Sequence, residues 1–121
     1  MPLALLVVDD EPQMRGILEQ TFQEAGYAVA TASDGSHAID LFERGAIRPD
    51  ALIVDLNLGR GPDGWEVARL ARERQSTLAI VYITGGRGLE RRPAGTPDGI
   101  TMVKPFTSDQ ILSVISALLV E

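Results

Sequence analysis

Five short apolar runs, at residues 3–8, 27–31, 51–54, 78–83 and 100–103, are separated by turn residues and by stretches whose apolar positions repeat at helical spacing. Runs with apolar residues at consecutive positions suit strands covered on both faces. The intervening stretches each carry one apolar stripe. These are Met14, Ile17, Leu18, Phe22 and Ala25; then Ala38, Ile39, Leu41 and Phe42; then Val67, Leu70 and Ala71; and finally Ile111, Leu112, Ile115, Leu118 and Leu119.

Local signals agree with these limits. Pro12 suits a first helical position, and Gly26 and Gly45 suit the positions just past a helix end. Ser33-Asp34-Gly35 reads as a turn, while Asp63 with Glu66 and Thr107 with Gln110 have the form of an N-cap and its third-position partner. This strand–helix repeat predicts an α/β fold: a doubly wound five-stranded parallel sheet with right-handed crossovers and helices on both faces. At 121 residues the chain suits one core, and a single domain over residues 1–121 is expected.

One stretch breaks the repeat. Between the fourth and fifth runs the chain reads GGRGLERRPAGTPDG, with Gly85, Gly86, Gly88, Gly95, Gly99, Pro93 and Pro97. In a helix interior glycine costs about 1 kcal/mol and proline about 3 kcal/mol. The helix expected at this place in the repeat, the fourth, should therefore be disordered or shortened to one or two turns around residues 89–92.

Open parallel sheets bind ligands at the carboxyl ends of their strands, where strand order reverses. The polar residues closing each run therefore locate the candidate site. Asp9, Asp10 and Glu11 follow the first run, Asp55 the third, Thr84 the fourth and Lys104 the fifth. Two like charges ~4 Å apart cost about 4 kcal/mol at an effective dielectric near 20, so such a gathering needs an offset. Three carboxylates form a hard, oxygen-rich set that suits a hydrated magnesium ion. With the Lys104 ammonium and the Thr84 hydroxyl facing it, the cleft would hold an anion with several oxygens, such as a phosphoryl group.

Composition narrows the function classes. Seventeen acidic against eleven basic residues leave a net charge of -6, which argues against direct binding to nucleic acid or to anionic membranes. Cysteine is absent, so disulfides and thiolate metal sites are excluded. The opening MPLALLVV has no basic flank, and no run approaches the roughly 20 apolar residues that span a bilayer. The expected compartment is the cytoplasm. No GK[ST] pattern occurs, and Gly59 and Gly61 are not read as a phosphate-binding fingerprint, which leaves nucleotide binding with little support.

The segments VVDDE, IVDLNLG, YITG and VKPF, each at a strand end and in this order, resemble the receiver domain of two-component response regulators, the CheY-like fold. The resemblance covers essentially the whole chain and implies strand order 2-1-3-4-5. It further implies that Asp55 is the phosphoacceptor, taking a phosphoryl group from a sensor histidine kinase or phosphotransfer protein and switching the binding of a downstream protein target. Asp10 would ligate Mg2+ directly, Asp9 through water, Asp55 with a carboxylate oxygen and Asn57 with its backbone carbonyl. Lys104 would pair with Asp55 and then with phosphoryl oxygens, and Thr84 would be the hydroxyl drawn inward. Gly85 resembles the small residue that leaves the site open, and Pro105 the cis-peptide position. Any chemistry would be limited to self-catalysed phosphorylation and autodephosphorylation.

Two departures bear on coupling. The family commonly carries an aromatic residue three positions before the lysine, where this chain has Thr101, and its fourth helix is here replaced by the glycine-rich segment. The TGG after the fourth run and the segment behind it are similar to a branch of stand-alone receivers. Two other readings use the same residues: a magnesium-dependent phosphotransferase or phosphohydrolase acting on small molecules, and an interaction module that is never phosphorylated. Elsewhere, Glu11 is expected at the surface or at a helix start, Trp65 in packing, His37 as a structural or exposed residue, and Arg87, Arg91 and Arg92 on a solvated face.

Overall fold

In the computed structural model, which describes residues 2–86 and 92–120, the five apolar runs are strands β1 (Ala4–Val8), β2 (Ala28–Ala32), β3 (Ala51–Asp55), β4 (Ala79–Thr84) and β5 (Ile100–Val103). Between and after them lie helices α1 (Pro12–Glu24), α2 (Gly35–Glu43), α3 (Gly64–Arg74) and α4 (Ser108–Leu118). All four strand pairings are parallel and the sheet runs β2-β1-β3-β4-β5, as the resemblance implies. Order therefore reverses beside β1 and β3; Asp9 directly follows the first and Asp55 ends the second.

Successive strand residues face opposite layers, and the core divides accordingly. Leu6, Val8, Leu52, Val54, Ile80 and Tyr82 pack with Ala38 and Phe42 of α2 and with Trp65, Val67, Ala68 and Ala71 of α3. The alternate residues Leu5, Val7, Ala51, Ile53, Val81 and Ile83 pack with Leu18 and Phe22 of α1 and with Ile111 and Ile115 of α4. β3 lies in the middle of the sheet and is buried along its whole length, which explains why its run tolerates no polar residue before Asp55.

Helix starts follow the capping chemistry. The Asp34 and Asp63 side chains accept from the amides of His37 and Glu66, and Thr107 with Gln110 forms a complete capping box. The single histidine is exposed in the first turn of α2, and Trp65 is buried, both as expected. Observed strand limits differ from the apolar runs by a residue or so, because a strand ends where its ladder ends. β2 and β4, for example, extend to Ala32 and Thr84.

Between β4 and β5 the described residues, 85–86 and 92–99, contain no helix. The turn or two expected at 89–92 falls, except for Arg92, outside the described residues. Among the described residues no helix is long and apolar enough to cross a membrane.

The seating of α3 on β3 depends on Gly64. A β-carbon there would stand 2.4 Å from the Asp55 carbonyl oxygen and 2.7 Å from the Leu56 α-carbon, both backbone atoms that cannot move aside cheaply. Gly16, within α1, has nothing within 4 Å of the same position. Gly64→Ala should therefore destabilise the fold by about 1–3 kcal/mol, whereas Gly16→Ala should stabilise it by about 0.5–1 kcal/mol. Urea unfolding of both variants checks this, and equal effects would contradict the packing described.

Candidate functional site

The carboxyl ends of β1, β3, β4 and β5 bring the polar strand-end residues into one cleft. Asp9, Asp10 and Asp55 each offer a carboxylate oxygen within 4.8 Å of the others. At an effective dielectric near 20 that spacing corresponds to about 3–4 kcal/mol of repulsion per pair. Asp9 is 1% exposed and Asp55 5%, whereas Asp10 is open to solvent. Water thus screens the third charge but not the first two.

Asp55 is held from both sides. Its Oδ1 accepts from the Asn57 amide at 2.8 Å, and its Oδ2 accepts from Lys104 Nζ at 2.8 Å. The lysine reaches across because its own amide donates to the Thr84 carbonyl at 2.8 Å, which fixes the end of β5 to the end of β4. The peptide bond from Lys104 to Pro105 is cis, as expected. Burial works against the ammonium, yet its hydrogen bond to Asp55 and the fields of Asp55, Asp9 and Glu11 outweigh that and hold Lys104 above its ordinary pKa.

Thr84 is 3% exposed and lies one residue beyond Ile83, the register partner of Asp55. Its Oγ1 accepts from the Gly86 amide at 3.0 Å. Gly85 has open space where a β-carbon would stand, consistent with a residue that leaves the cleft accessible.

Asp9 carries the clearest sign of an unmet demand. Its Oδ1 accepts from the Glu11 amide at 2.9 Å, whereas Oδ2 is buried with no partner among the described residues. Burial, with a smaller contribution from the Asp55 charge, pushes its pKa from 3.8 up to about 6 despite that amide bond. A buried, unpartnered carboxylate oxygen beside two further carboxylates is a hard donor set, and it fits a hydrated divalent cation better than any arrangement of uncharged groups.

Sequence reasoning placed Asp9, Asp10, Asp55, Thr84 and Lys104 together at this edge, with Asn57 on the loop beside them. Two neighbours escaped it. Glu11 is exposed at the start of α1, as expected, but its carboxylate also approaches Lys104 Nζ at 3.9 Å. Arg15 donates from its guanidinium to the Asp9 carbonyl at 2.9 Å. Arg15 bonds a main-chain carbonyl six residues back, beyond the spacing of side-chain pairs on one helix face, so no local sequence signal announces it.

Because Asp9 binds its proton more tightly when folded than when unfolded, ionising it costs stability. That cost is absent below the unfolded value of 3.8, grows as pH rises, and is complete above about 6. Asp9→Asn, which keeps the acceptor for the Glu11 amide, should stabilise the metal-free protein at pH 7.5 by about 1–3 kcal/mol, with the gain fading towards pH 4. Denaturant unfolding in a chelator at several pH values reads this; a gain independent of pH would contradict it.

Comparison with known proteins agrees with this geometry. The family model described as the response regulator receiver domain matches residues 5–116. Response regulator MprA of Mycobacterium sp. (strain KMS) is 36% identical over 121 residues, 98% of this chain and 51% of the relative. MprA of Mycobacterium tuberculosis (strain ATCC 25177 / H37Ra) gives the same identity and coverage. The chain thus spans about half the length of these curated relatives. Among solved structures, a response regulator receiver protein from Sinorhizobium medicae WSM419 superposes with a TM-score of 0.88 at 39% identity, covering 98% of this chain and 94% of that one. Response regulator TrrA from Thermotoga maritima, solved in complex with Mg2+ and BeF, gives 0.84 at 30% identity, covering 97% and 99%. The chain belongs to the response regulator receiver domain family.

Proposed function

We propose that this receiver takes a phosphoryl group onto Asp55 from a phosphohistidine on a sensor kinase or phosphotransfer protein, and that the modified face is read by a downstream protein target. The observation that carries the reading is the two-sided grip on Asp55, with the Asn57 amide on Oδ1 and the Lys104 ammonium on Oδ2. A carboxylate fixed in this way is oriented for in-line attack, and phosphoryl transfer is mostly a matter of positioning and charge stabilisation.

In the transfer, an Asp55 carboxylate oxygen forms the new bond to phosphorus as the donor's P–N bond breaks, and the bonding pair leaves with the imidazole. Lys104 faces the charge that develops on the phosphoryl oxygens, as a preorganised cation should. Thr84 supplies a hydroxyl from the neighbouring strand end, with a proton to donate once the phosphoryl is in place. Asp9, Asp10, Asp55 and the Asn57 backbone carbonyl would hold Mg2+, which when bound neutralises charge on the carboxylates and on the incoming phosphoryl oxygens. The TrrA relative was solved with Mg2+ and BeF, which supports magnesium as the cation.

The remaining parts of the reading follow from the same chemistry. The chain acts as one receiver over residues 1–121, in the cytoplasm, through protein partners rather than nucleic acid or membrane. Its own catalysis extends no further than taking up phosphate from a donor and losing it again by hydrolysis.

Incubation with magnesium and acetyl phosphate should add a single phosphoryl group to the intact mass, and Asp55→Asn should abolish the addition. Lys104→Ala should slow uptake by roughly 10²-fold, the scale for removing one preorganised charge-stabilising donor. Labelling that persists in Asp55→Asn would remove the assignment, and steady turnover of a phosphoester without labelling would favour a phosphohydrolase instead.

A further inference from the structure

The loop over residues 57–62, which leaves Asp55 and leads into α3, is pinned at both ends. At its start the Asn57 amide donates to Asp55 Oδ1 at 2.8 Å, and Leu56 and Leu58 are buried in the core shared with α2 and α3. At its far end the Gly64 amide donates to the Leu56 carbonyl at 3.1 Å, and the Asp63 side chain caps α3. Between these pins the loop passes two neighbours closely. A β-carbon on Gly59 would stand 3.5 Å from Asp10 Oδ2, and one on Gly61 would stand 3.4 Å from Ser36 Oγ.

The tightest neighbour is Gly35, the first residue of α2. It is buried, and a β-carbon there would overlap the Pro62 carbonyl oxygen and stand 3.0 Å from both the carbonyl carbon and the β-carbon of Pro62. The helix start cannot withdraw, because the Asp34 side chain accepts from the His37 amide at 2.7 Å and fixes the first turn. Nor can Pro62 turn aside easily, since its ring sets φ and the next residue is the N-cap of α3. The contact is therefore backbone on backbone, and no side-chain rotation relieves it.

The geometry points to the first turn of α2 as a backstop for the metal-holding loop, with Gly35 the positioning residue whose missing side chain sets how deeply residues 57–62 sit beside Asp10. The loop begins at the Asn57 carbonyl and runs past the Asp10 carboxylate, two of the groups that would hold Mg2+. A methyl group on residue 35 would push Pro62 off α2, and with the loop pinned at its ends the shift falls on the residues between, where Gly59 faces Asp10. Groups that orient a cation's ligands without touching it are worth about 10- to 100-fold in metal affinity. The positioning role rests on the magnesium site proposed above; the backbone contact does not.

Amide 1H–15N spectra, recorded in a chelator and then through a magnesium chloride titration at constant ionic strength, test this on the unphosphorylated protein. In the wild type, magnesium should shift the Asn57 and Gly59 amides. Gly35→Ala should already displace Asn57, Gly59 and Gly61 in the chelator and should raise the dissociation constant for magnesium about 10-fold. Gly99→Ala is the matched control. Its β-carbon would stand 2.6 Å from the Ile80 carbonyl oxygen, and Ile80 pairs with Leu52, three residues before Asp55, so the clash is as hard but away from the cleft. That variant should lower the urea midpoint and leave the dissociation constant unchanged. Should Gly35→Ala fail to fold, Pro62→Gly tests the same contact from the loop side: it keeps the carbonyl, frees the φ that the ring had fixed, and should also weaken magnesium binding. A folded Gly35→Ala that binds magnesium as the wild type does would overturn the backstop, as would unchanged affinity in Pro62→Gly or equal weakening in Gly99→Ala. If the wild type itself shows no magnesium-dependent shift at Asn57 and Gly59, the magnesium site falls and the positioning role falls with it.

Discussion

Three carboxylates crowded at the carboxyl edge of a parallel sheet are the constraint on which the rest of this structure depends. Asp9 and Asp55 are buried there, and Asp10 lies within reach of both. Charges so placed repel at a scale comparable with the total stability of a small domain. The fold tolerates them because Lys104 is brought across from the end of β5 to Asp55, because the backbone amides of Glu11 and Asn57 donate to Asp9 and Asp55, and because the three carboxylates are grouped closely enough to share a cation. A site strained in this way before ligand binds is one that responds strongly when charge is added.

The architecture does little beyond delivering those groups. β3 is central and wholly buried, so Asp55 emerges at the cleft floor with its main chain pinned against α3 at Gly64. β4 and β5 carry Thr84 and Lys104 to the same rim, and the amide of one binds the carbonyl of the other. Helices cover both faces and leave the edge open.

Much of this was legible in the residues. Runs of consecutive apolar residues ending on a carboxylate report both a buried strand and the end at which chemistry sits, which is why β1 and β3 with Asp9, Asp10 and Asp55 could be placed from sequence. The capping pairs at Asp63 and Thr107 worked because that hydrogen bond is local. Contacts between residues distant along the chain were another matter. Nothing in the order of residues announces that the Tyr82 hydroxyl meets Pro97 or that Arg92 covers Trp65, since those contacts depend on how the connection after β4 folds back. Arg92 is exposed, as expected of a solvated face, yet its contact with Trp65 is not legible in the sequence, and Glu11 gives no sequence sign of facing Lys104; Arg87 and Arg91 lie outside the described residues.

The most direct test of the account is whether a divalent cation relieves the repulsion at this edge. Thermal unfolding at pH 7.5 should be followed in magnesium chloride and in sodium chloride of equal ionic strength, for the wild type and for Asp10→Asn. A cation bound only to the folded state stabilises it by about 2.7 kcal/mol at 100 times its dissociation constant, enough to raise the melting temperature by several degrees. The account predicts that rise in magnesium for the wild type and its loss in Asp10→Asn. Superimposable melting curves in the two salts for the wild type would contradict it.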